Sequence, residues 1–337
     1  MGSPDASGPE ADPAPVAAAP DGTQAPLPPE SVTLRFLAAP MDAGYAGHVG
    51  AGRVLEWIDK AGYALAAGWG RTYAVTAYVG NVHFSRPIPV GHMVEATARI
   101  VYTGRSSMHI HVTVSSGDPR EAALQPACDC LMVFVAMDAD RRPTAIPAWE
   151  PDTDDERAHK ASALRHIELR KNIETAMAEQ VYSEEGTAPR IVLRFLAAPT
   201  DVNWGGKVHG GIVMRWIDEA AHVLATRWTG RDSTVAVYTG GVRFYRPLQI
   251  GHLVEVEARL LLTGTSSMHI SVHVRSGDPA TGEMAETTHC LTIFVALDGE
   301  GRTAPVPTWT PVSSEDVALA EHARHLVELR SAVAAAE

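Results

Sequence analysis

The chain has 337 residues, enough for two domains of ordinary size, and its acidic residues outnumber its basic ones by 40 to 28. The resulting formal charge of −12 argues against a nucleic acid partner, which would need a basic surface. No apolar run approaches the roughly 18 residues that cross a bilayer. Three cysteines are too few for a disulfide framework, and the N-terminus lacks a basic segment followed by an apolar core. We therefore expect a cytoplasmic protein.

Residues 1–30 are dominated by alanine, proline, glycine and acidic residues. Such a composition buries too little apolar surface to offset the entropy lost on ordering. We expect a disordered tail.

The chain contains an internal repeat of about 160 residues. LRFLAAP occurs at 34–40 and again at 193–199, SRP at 85–87 corresponds to YRP at 245–247, and SSMHI occurs at 106–110 and 266–270. These matches indicate one duplicated domain, at 31–150 and 189–312, with a helical linker at 151–188 and a C-terminal helix at 313–337. We expect both of these helices to be solvated and to pack on the outside of the domains.

Within each copy the elements follow one order. A strand (Val32–Leu37, Ile191–Leu196) precedes a glycine-rich loop and a long apolar helix (about Val49–Trp69, Val208–Trp228), and four strands follow (about 73–84, 91–103, 107–115 and 127–137 in the first copy). A helix that is apolar all round is buried, so the antiparallel sheet must wrap around it. The sequence predicts an α+β fold.

Two aspartates lie at equivalent points within these apolar helices. Arg215 precedes Asp218 by three residues and can pair with it, whereas Asp59 has Glu56 at that position. Burial and a like charge both tend to raise the pKa of a carboxylate, which suits a general base. This contrast favours a functional role for Asp59, with a structural hydrogen bond as the alternative.

The loop before the second helix ends in His209-Gly210-Gly211, with Asn203 six residues before the histidine. Free N–H groups at a glycine-rich helix start can stabilise an oxygen that gains negative charge. The equivalent loop of the first copy has Gly44 for the asparagine and Gly-Ala-Gly at 50–52. Because eight residues of helix span about 12 Å, Gly210 and Asp218 cannot both contact one carbonyl group. A site shared between the halves, with Asp59 opposite Gly210, is therefore predicted.

Asn-x-x-Gly-x-x-His-Gly-Gly followed by Trp-Ile-Asp-Glu on a helix resembles the hot-dog acyl-CoA thioesterases, and the duplication resembles their two-hot-dog cytosolic members. The Phe-x-Arg-Pro and Thr-Gly-x-Ser-Ser-Met motifs of both copies fit this pattern as well. The resemblance implies a tandem hot-dog fold, hydrolysis of acyl-CoA to fatty acid and CoA in lipid metabolism, and a homo-oligomer, most simply a trimer. It also implies that Asn203 orients water or the carbonyl group and that Thr76 accompanies Asp59, which acts as base or nucleophile.

The resemblance implies no cofactor, since CoA is part of the substrate. Its phosphates need local cations, for which the sequence offers Arg105 beside Ser106 and Ser107, then Arg86, with Arg246 and Lys207 in reserve. His109 and His111, or His269 and His273, form pairs without an evident third ligand, so we expect no metal site. A hot-dog hydratase or dehydratase and a non-catalytic acyl-CoA sensor are the alternative functions.

Overall fold

The computed structural model describes residues 29–121, 123–183 and 185–334, so the predicted tail lies almost entirely outside the described residues. The first half contains β1 (Ser31–Leu37), α1 (Ala51–Gly70), β2 (Ala74–Val79), β3 (Val82–His83), β4 (Met93–Thr103), β5 (Ser107–Gly117) and β6 (Gln125–Ala136). Then come α2 (Asp154–Ala178), β7 (Arg190–Leu196), α3 (Gly210–Thr229), β8 (Thr234–Phe244), β9 (Leu253–Thr263), β10 (Ser267–Gly277), β11 (Ala285–Leu297), β12 (Thr303–Ala304) and α4 (Ser314–Ala334). The predicted buried helices and the strands that follow them are confirmed.

The strands form one antiparallel sheet in the order β1-β4-β5-β6-β2-β8-β11-β10-β9-β7. The two halves meet where β2 pairs with β8, with Val79 opposite Val242. The order is a near mirror of itself about this junction, as a duplicated domain with a pseudo-twofold axis requires. The sheet is therefore continuous across the two halves and holds their helices in a fixed relation.

The helices α1 and α3 cross at two tightly packed glycines. A Cβ atom added at Gly211 would lie 2.7 Å from Glu56 Cα, and one added at Gly52 would lie 2.7 Å from Arg215 Cα. The first turn of each helix thus lies against the second turn of the other, so the two helices run antiparallel and cross near their N-terminal ends. Only glycine permits this approach, which brings the loop of each half to the buried helix of the other half.

The sheet supplies the apolar surroundings of these helices. In β4, Val94, Ala96 and Ala98 are fully buried on the inner face, whereas the intervening residues are more exposed. This period-2 alternation is the pattern of a sheet with one buried face. The tandem hot-dog fold predicted from the sequence is confirmed.

The two charged helices are less solvated than predicted, because α4 covers the outer face of the second half of the sheet. Leu319, Ala323 and Leu326 of α4 are buried in a cluster with Leu261 and Leu291, which Ile173 and Met177 of α2 complete. The outer face of β9 accordingly keeps Arg259 only 2% exposed. The expectation of an external position is correct, but the apolar stripe of α4 buries more surface than its charged composition indicates.

Candidate active site

Asp59 lies in the middle of α1, 2% exposed, with hydrogen-bond donors to both carboxylate oxygens. The Thr76 hydroxyl donates to Oδ1 at 2.7 Å, and the Gly211 N–H donates to Oδ2 at 2.8 Å. Thr76 belongs to β2 of the same half, whereas Gly211 opens the helix of the other half. These donors offset the cost of burying the charge and fix the orientation of the carboxylate.

His209 is the N-cap residue of α3, and its Nδ1 lies 3.1 Å from Asp59 Oδ2. The same nitrogen lies 3.1 Å from the Gly211 nitrogen, but one nitrogen cannot accept that hydrogen bond while donating another. The Gly211 N–H already donates to Asp59 at the shorter distance. If Nδ1 of His209 carried no proton, its lone pair would face a lone pair of Asp59 Oδ2, so we place the ring proton on Nδ1. The imidazole then acts as a third donor to the carboxylate.

The N–H groups at the start of α3 have different tasks. Gly211 N–H is occupied by Asp59, so Gly210 N–H is the one that can stabilise a developing oxyanion. A Cβ atom at Gly210 would lie 3.1 Å from Asp59 Oδ2 and 3.4 Å from Thr76 Oγ1. The absent side chain therefore leaves space where a carbonyl group can lie beside the carboxylate.

Asn203 lies in the loop that leads into α3, and its side chain has two functions. Oδ1 accepts hydrogen bonds from the backbone N–H groups of Gly205 at 2.8 Å and Lys207 at 3.0 Å, which closes the loop. Nδ2 makes a long contact of 3.5 Å to the Val208 carbonyl oxygen, and the Asn203 side chain also interacts with the Tyr73 hydroxyl. Asn203 lines the same cavity as Asp59, so its amide can donate to a carbonyl group or a water molecule bound there.

The two halves enclose a cavity of about 210 Å³ at this point. Its aromatic wall includes Tyr63, which stacks on Trp204 of the opposite loop with ring centroids 4.2 Å apart. Tyr73 closes another side, and its ring leaves no room for a side chain at Gly205. Arg246 and Lys207, the further cations that the sequence offers for CoA phosphates, also line this cavity.

The predicted electrostatic contrast between the two aspartates is wrong. Arg215 does not pair with Asp218, since its Nε instead lies 3.6 Å from Glu219 Oε1. Asp218 accepts one hydrogen bond, from Gly52 N–H at 2.9 Å, and burial raises its pKa to about 6. A side chain three residues away on a helix has several nearby partners, and spacing alone does not select among them.

Glu56 does not act on Asp59 as an uncompensated like charge. Lys60 Nζ lies 2.7 Å from one of its oxygens, and Arg53 donates to the other at 2.6 Å. Burial favours the neutral acid, but these two cations outweigh it and lower the pKa of Glu56. The helix carries its own neutralising cations on the turns before and after Glu56.

The site around Asp218 lacks the polar partners found around Asp59. Gly50 replaces His209 and Gly44 replaces Asn203. Ala236 replaces Thr76, because each pairs with an equivalent phenylalanine, Phe294 and Phe134 respectively. The cavity here is larger, at about 550 Å³. The prediction of one complete and one incomplete constellation agrees with this geometry.

The four residues predicted first to bind CoA phosphates do not line the Asp59 cavity. Arg86 lines the cavity around Asp218, whereas its counterpart Arg246 lines the Asp59 cavity. Arg105, Ser106 and Ser107 form the turn between β4 and β5 and belong to the lining of neither of these two cavities. The structure thus brings Asp59, Thr76, Asn203, His209, Gly210 and Gly211 together, but not the four predicted phosphate ligands.

The stacked aromatic pair is a feature that the sequence reasoning missed. Tyr63 with Trp204 has an equivalent in His222 with Tyr45, whose ring centroids lie 4.5 Å apart. A comparison of the two copies could have found it, because aromatic rings occupy the same repeat positions in both. Tyr73 has the small Ser233 at its repeat position, so no pairing signal existed for it.

The fold, with two antiparallel half-sheets that each wrap around a buried helix, is that of a tandem hot-dog protein. Its site, with a carboxylate beside the N–H of a helix start, is of a hydrolytic type. Residues 46–123 and 205–283 match the family model described as the Thioesterase superfamily. The chain is 33% identical over 120 residues to the acyl-CoA thioester hydrolase YciA of Salmonella typhimurium. The aligned region covers 35% of this chain and 90% of YciA. The chain belongs to the thioesterase superfamily.

Similarity over most of the chain comes from another relative. The human cytosolic acyl coenzyme A thioester hydrolase is 26% identical over 315 residues, covering 88% of this chain and 82% of that protein. A solved structure from Lactobacillus plantarum, provisionally described as an oleoyl thioesterase, covers 80% of this chain and 97% of its own with a TM-score of 0.57. At 11% identity this last likeness concerns the fold alone.

Proposed function

We propose that the protein hydrolyses the thioester bond of acyl-CoA to a free fatty acid and CoA, at one site shared by the two halves. The observation that carries the proposal is the carboxylate of Asp59, held by donors from both halves beside the Gly210 N–H, which has no partner among the described residues. The similarity to acyl-CoA thioester hydrolases over most of the chain supports this substrate class.

The geometry suits attack by water. Asp59 removes a proton from a water molecule as its oxygen attacks the thioester carbon, and Gly210 N–H stabilises the resulting oxyanion. Asn203 Nδ2 orients the water or the carbonyl oxygen. Collapse of the intermediate expels CoA as the thiolate, which takes up a proton.

Binding of the CoA phosphates requires cations on an acidic chain. Arg246 and Lys207 line the Asp59 cavity and are placed to neutralise part of this charge. Arg105 with Ser106 and Ser107 stays a prediction for the more distant phosphates. No metal takes part in the proposed reaction.

The proposal predicts that Asp59→Asn and Asn203→Ala each lower turnover at least about a hundredfold, the range typical for loss of a general base or an oriented polar group. The assay measures free CoA released from acyl-CoA substrates from acetyl to palmitoyl. Asp218→Asn is the matched control, since it makes the same chemical change at the equivalent position and retains most of the activity.

Two outcomes would contradict the proposal. Near-normal turnover in a folded Asp59→Asn variant would remove the assigned base. Tight binding of acyl-CoA without release of CoA at any chain length would instead support a sensor, and addition to an acyl double bond would support a hydratase.

We further propose a homo-oligomer, with a trimer of two-domain chains favoured, and a cytosolic role in lipid metabolism. Large apolar side chains are exposed at equivalent positions of both halves, with Leu37 60% and Leu196 59% exposed at the ends of β1 and β7. Such paired patches suit contacts between chains. Among the described helices, none is long and apolar enough to cross a membrane.

The trimer predicts a particle mass of about three chains in light scattering, independent of concentration over the micromolar range. Leu37→Asp combined with Leu196→Asp tests the exposed patches, and the double variant is expected to dissociate. A wild-type mass equal to one chain across that range would contradict the proposal.

A further inference from the structure

The outer face of the second half-sheet carries a group of potential metal ligands away from the Asp59 cavity. His273 of β10 and His289 of β11 are directly opposite in the strand register, with ring centroids 3.8 Å apart. Glu286 of β11 places Oε2 3.2 Å from His273 Nδ1. Each of the three residues offers one ligand atom, and these atoms all lie within 4.8 Å of one another.

Both histidines are deeply buried yet have few polar partners. Each is 5% exposed, and the edge-on ring of Tyr182 covers both. The Nε2 atom of His273 has no hydrogen-bond partner among the described residues, so Glu286 is the polar contact that its ring retains. Buried imidazoles with few polar partners are well suited to offer a nitrogen lone pair to an ion.

The chemistry of this group matches a divalent transition metal. Imidazole nitrogen together with carboxylate oxygen is a ligand set that suits zinc. Ligand atoms about 2.05 Å from a tetrahedral zinc ion lie roughly 3.3 Å from one another, close to the 3.2 Å between His273 Nδ1 and Glu286 Oε2. The nearly parallel imidazoles need only tilt apart for both nitrogens to face one ion.

We propose that His273, His289 and Glu286 bind one Zn²⁺ ion, with water in the fourth position. Glu286 is 42% exposed at its side chain, which gives the ion a path from solvent. The site is separate from the proposed thioester cleavage, since it lies on the outer face of the sheet under α4, whereas the thioester is cleaved between α1 and α3. Leu291 of β11, two residues from His289, is buried in one cluster with Leu319 and Leu326 of α4, so the ion lies near the contact between the sheet and α4.

The first half of the same chain provides an internal comparison. The positions equivalent to His273, Glu286 and His289 are Thr113, Pro126 and Asp129, which occupy the same register in β5 and β6. The first half therefore lacks both histidines and the glutamate, and keeps one carboxylate, Asp129, at these three positions. A merely structural need of the fold does not explain them, because the first half forms the same strands without them.

The test is a zinc titration of the full-length, metal-free protein by calorimetry, with metal content measured by mass spectrometry after dialysis. We expect one Zn²⁺ per chain and an upward shift of the melting temperature on binding. His273→Gln, His289→Gln and Glu286→Gln are expected to weaken binding at least about tenfold each. Cobalt in place of zinc gives visible absorption bands that report tetrahedral nitrogen and oxygen ligands.

His325→Gln is the matched control, because His325 lies on α4 and is 56% exposed at its side chain. It should leave zinc affinity unchanged. Glu286→Gln keeps the test decisive if a histidine variant fails to fold, since its side chain is partly exposed. Absence of stoichiometric zinc binding by the wild-type protein would overturn the proposal, as would unchanged affinity in folded Glu286→Gln and histidine variants. The rings would then be a buried stacked pair.

Discussion

Asp59 and Asp218 show how identical residues at equivalent positions acquire different chemistry. Asp59 accepts from Thr76 and Gly211 and lies beside His209, whereas Asp218 accepts only from Gly52 among the described residues. The difference comes from the residues that surround each carboxylate and not from the helix that carries it. Burial raises the pKa of Asp218, the carboxylate with fewer donors.

The pKa of Asp218, raised by burial to about 6, predicts a pH-dependent stability. The pKa of Asp218 in the unfolded chain is near 3.8. The favourable contribution of its neutral form to folding stability is therefore fully present below pH 3.8 and is lost as the pH rises through 6. The ionised group then costs about 3 kcal/mol of folding free energy at pH 8. Asp218→Asn keeps an acceptor for Gly52 N–H and removes the charge, so it should raise the free energy of unfolding at pH 8 by an amount of this order.

Urea denaturation of wild type and Asp218→Asn at pH 4.5 and pH 8 measures this effect. The stabilisation by the substitution should be several times larger at pH 8 than at pH 4.5. Asp218→Leu, which removes the acceptor as well, separates loss of charge from loss of the hydrogen bond. An equal effect of Asp218→Asn at both pH values would contradict the buried ionisation.

At the residue scale the sequence predicted the site members from motif and repeat, but not their electrostatics. Asp59, Asn203 and Gly210 could be assigned to one site because the repeat is altered in one of its two loops, which leaves a single complete set of these residues. The pairing of Arg215 with Glu219, and the neutralisation of Glu56 by Lys60 and Arg53, depend on rotamers and packing. Sequence spacing lists such partners but cannot rank them.

At the scale of elements, the close crossing of α1 and α3 positions the chemistry. The Gly211 and Gly52 positions both lack room for a Cβ atom, which would lie 2.7 Å from backbone of the opposite helix. The sequence indicated a glycine-rich helix start, but the reason for the second glycine is this contact with the other half. Such a contact is non-local, so no pattern within the loop reveals it.

Gly211→Ala and Gly52→Ala form a matched pair at this crossing. Each should destabilise the protein by about 1–3 kcal/mol, because the helices must separate to admit the methyl group. Only Gly211→Ala displaces the N–H that holds Asp59, so it should lower turnover at least about tenfold while Gly52→Ala retains most of it. Thermal unfolding and release of CoA measure the two effects, and equal losses of turnover would contradict the assignment of chemistry to the Asp59 side.

At the scale of the whole molecule, the duplicated fold was predictable because the repeat, the apolar helices and the strand alternation all agree. The joining of β2 to β8 into one continuous sheet was not, since edge pairing between domains leaves no periodic signal. The extent to which α4 buries apolar surface on the second half was underestimated for a related reason. Its apolar stripe is interrupted by charges that point to solvent, and Arg259 beneath it is satisfied by Glu257 and Glu315.

The division of the site between the halves predicts that neither half works alone. The first half holds the carboxylate and Thr76, and the second holds the asparagine, the histidine and the free N–H of Gly210. The chain can be divided before α2, because Ile173 and Met177 pack with the second half. Fragments 1–150 and 151–337, each shown to be folded by circular dichroism, should be inactive separately and should regain CoA release when mixed. Activity of fragment 151–337 alone would mean that Asp218 acts as the catalytic carboxylate in a symmetric dimer of that half. A large loss of turnover in folded full-length Asp218→Asn would mean that the site with Gly44 and Gly50 still performs the reaction.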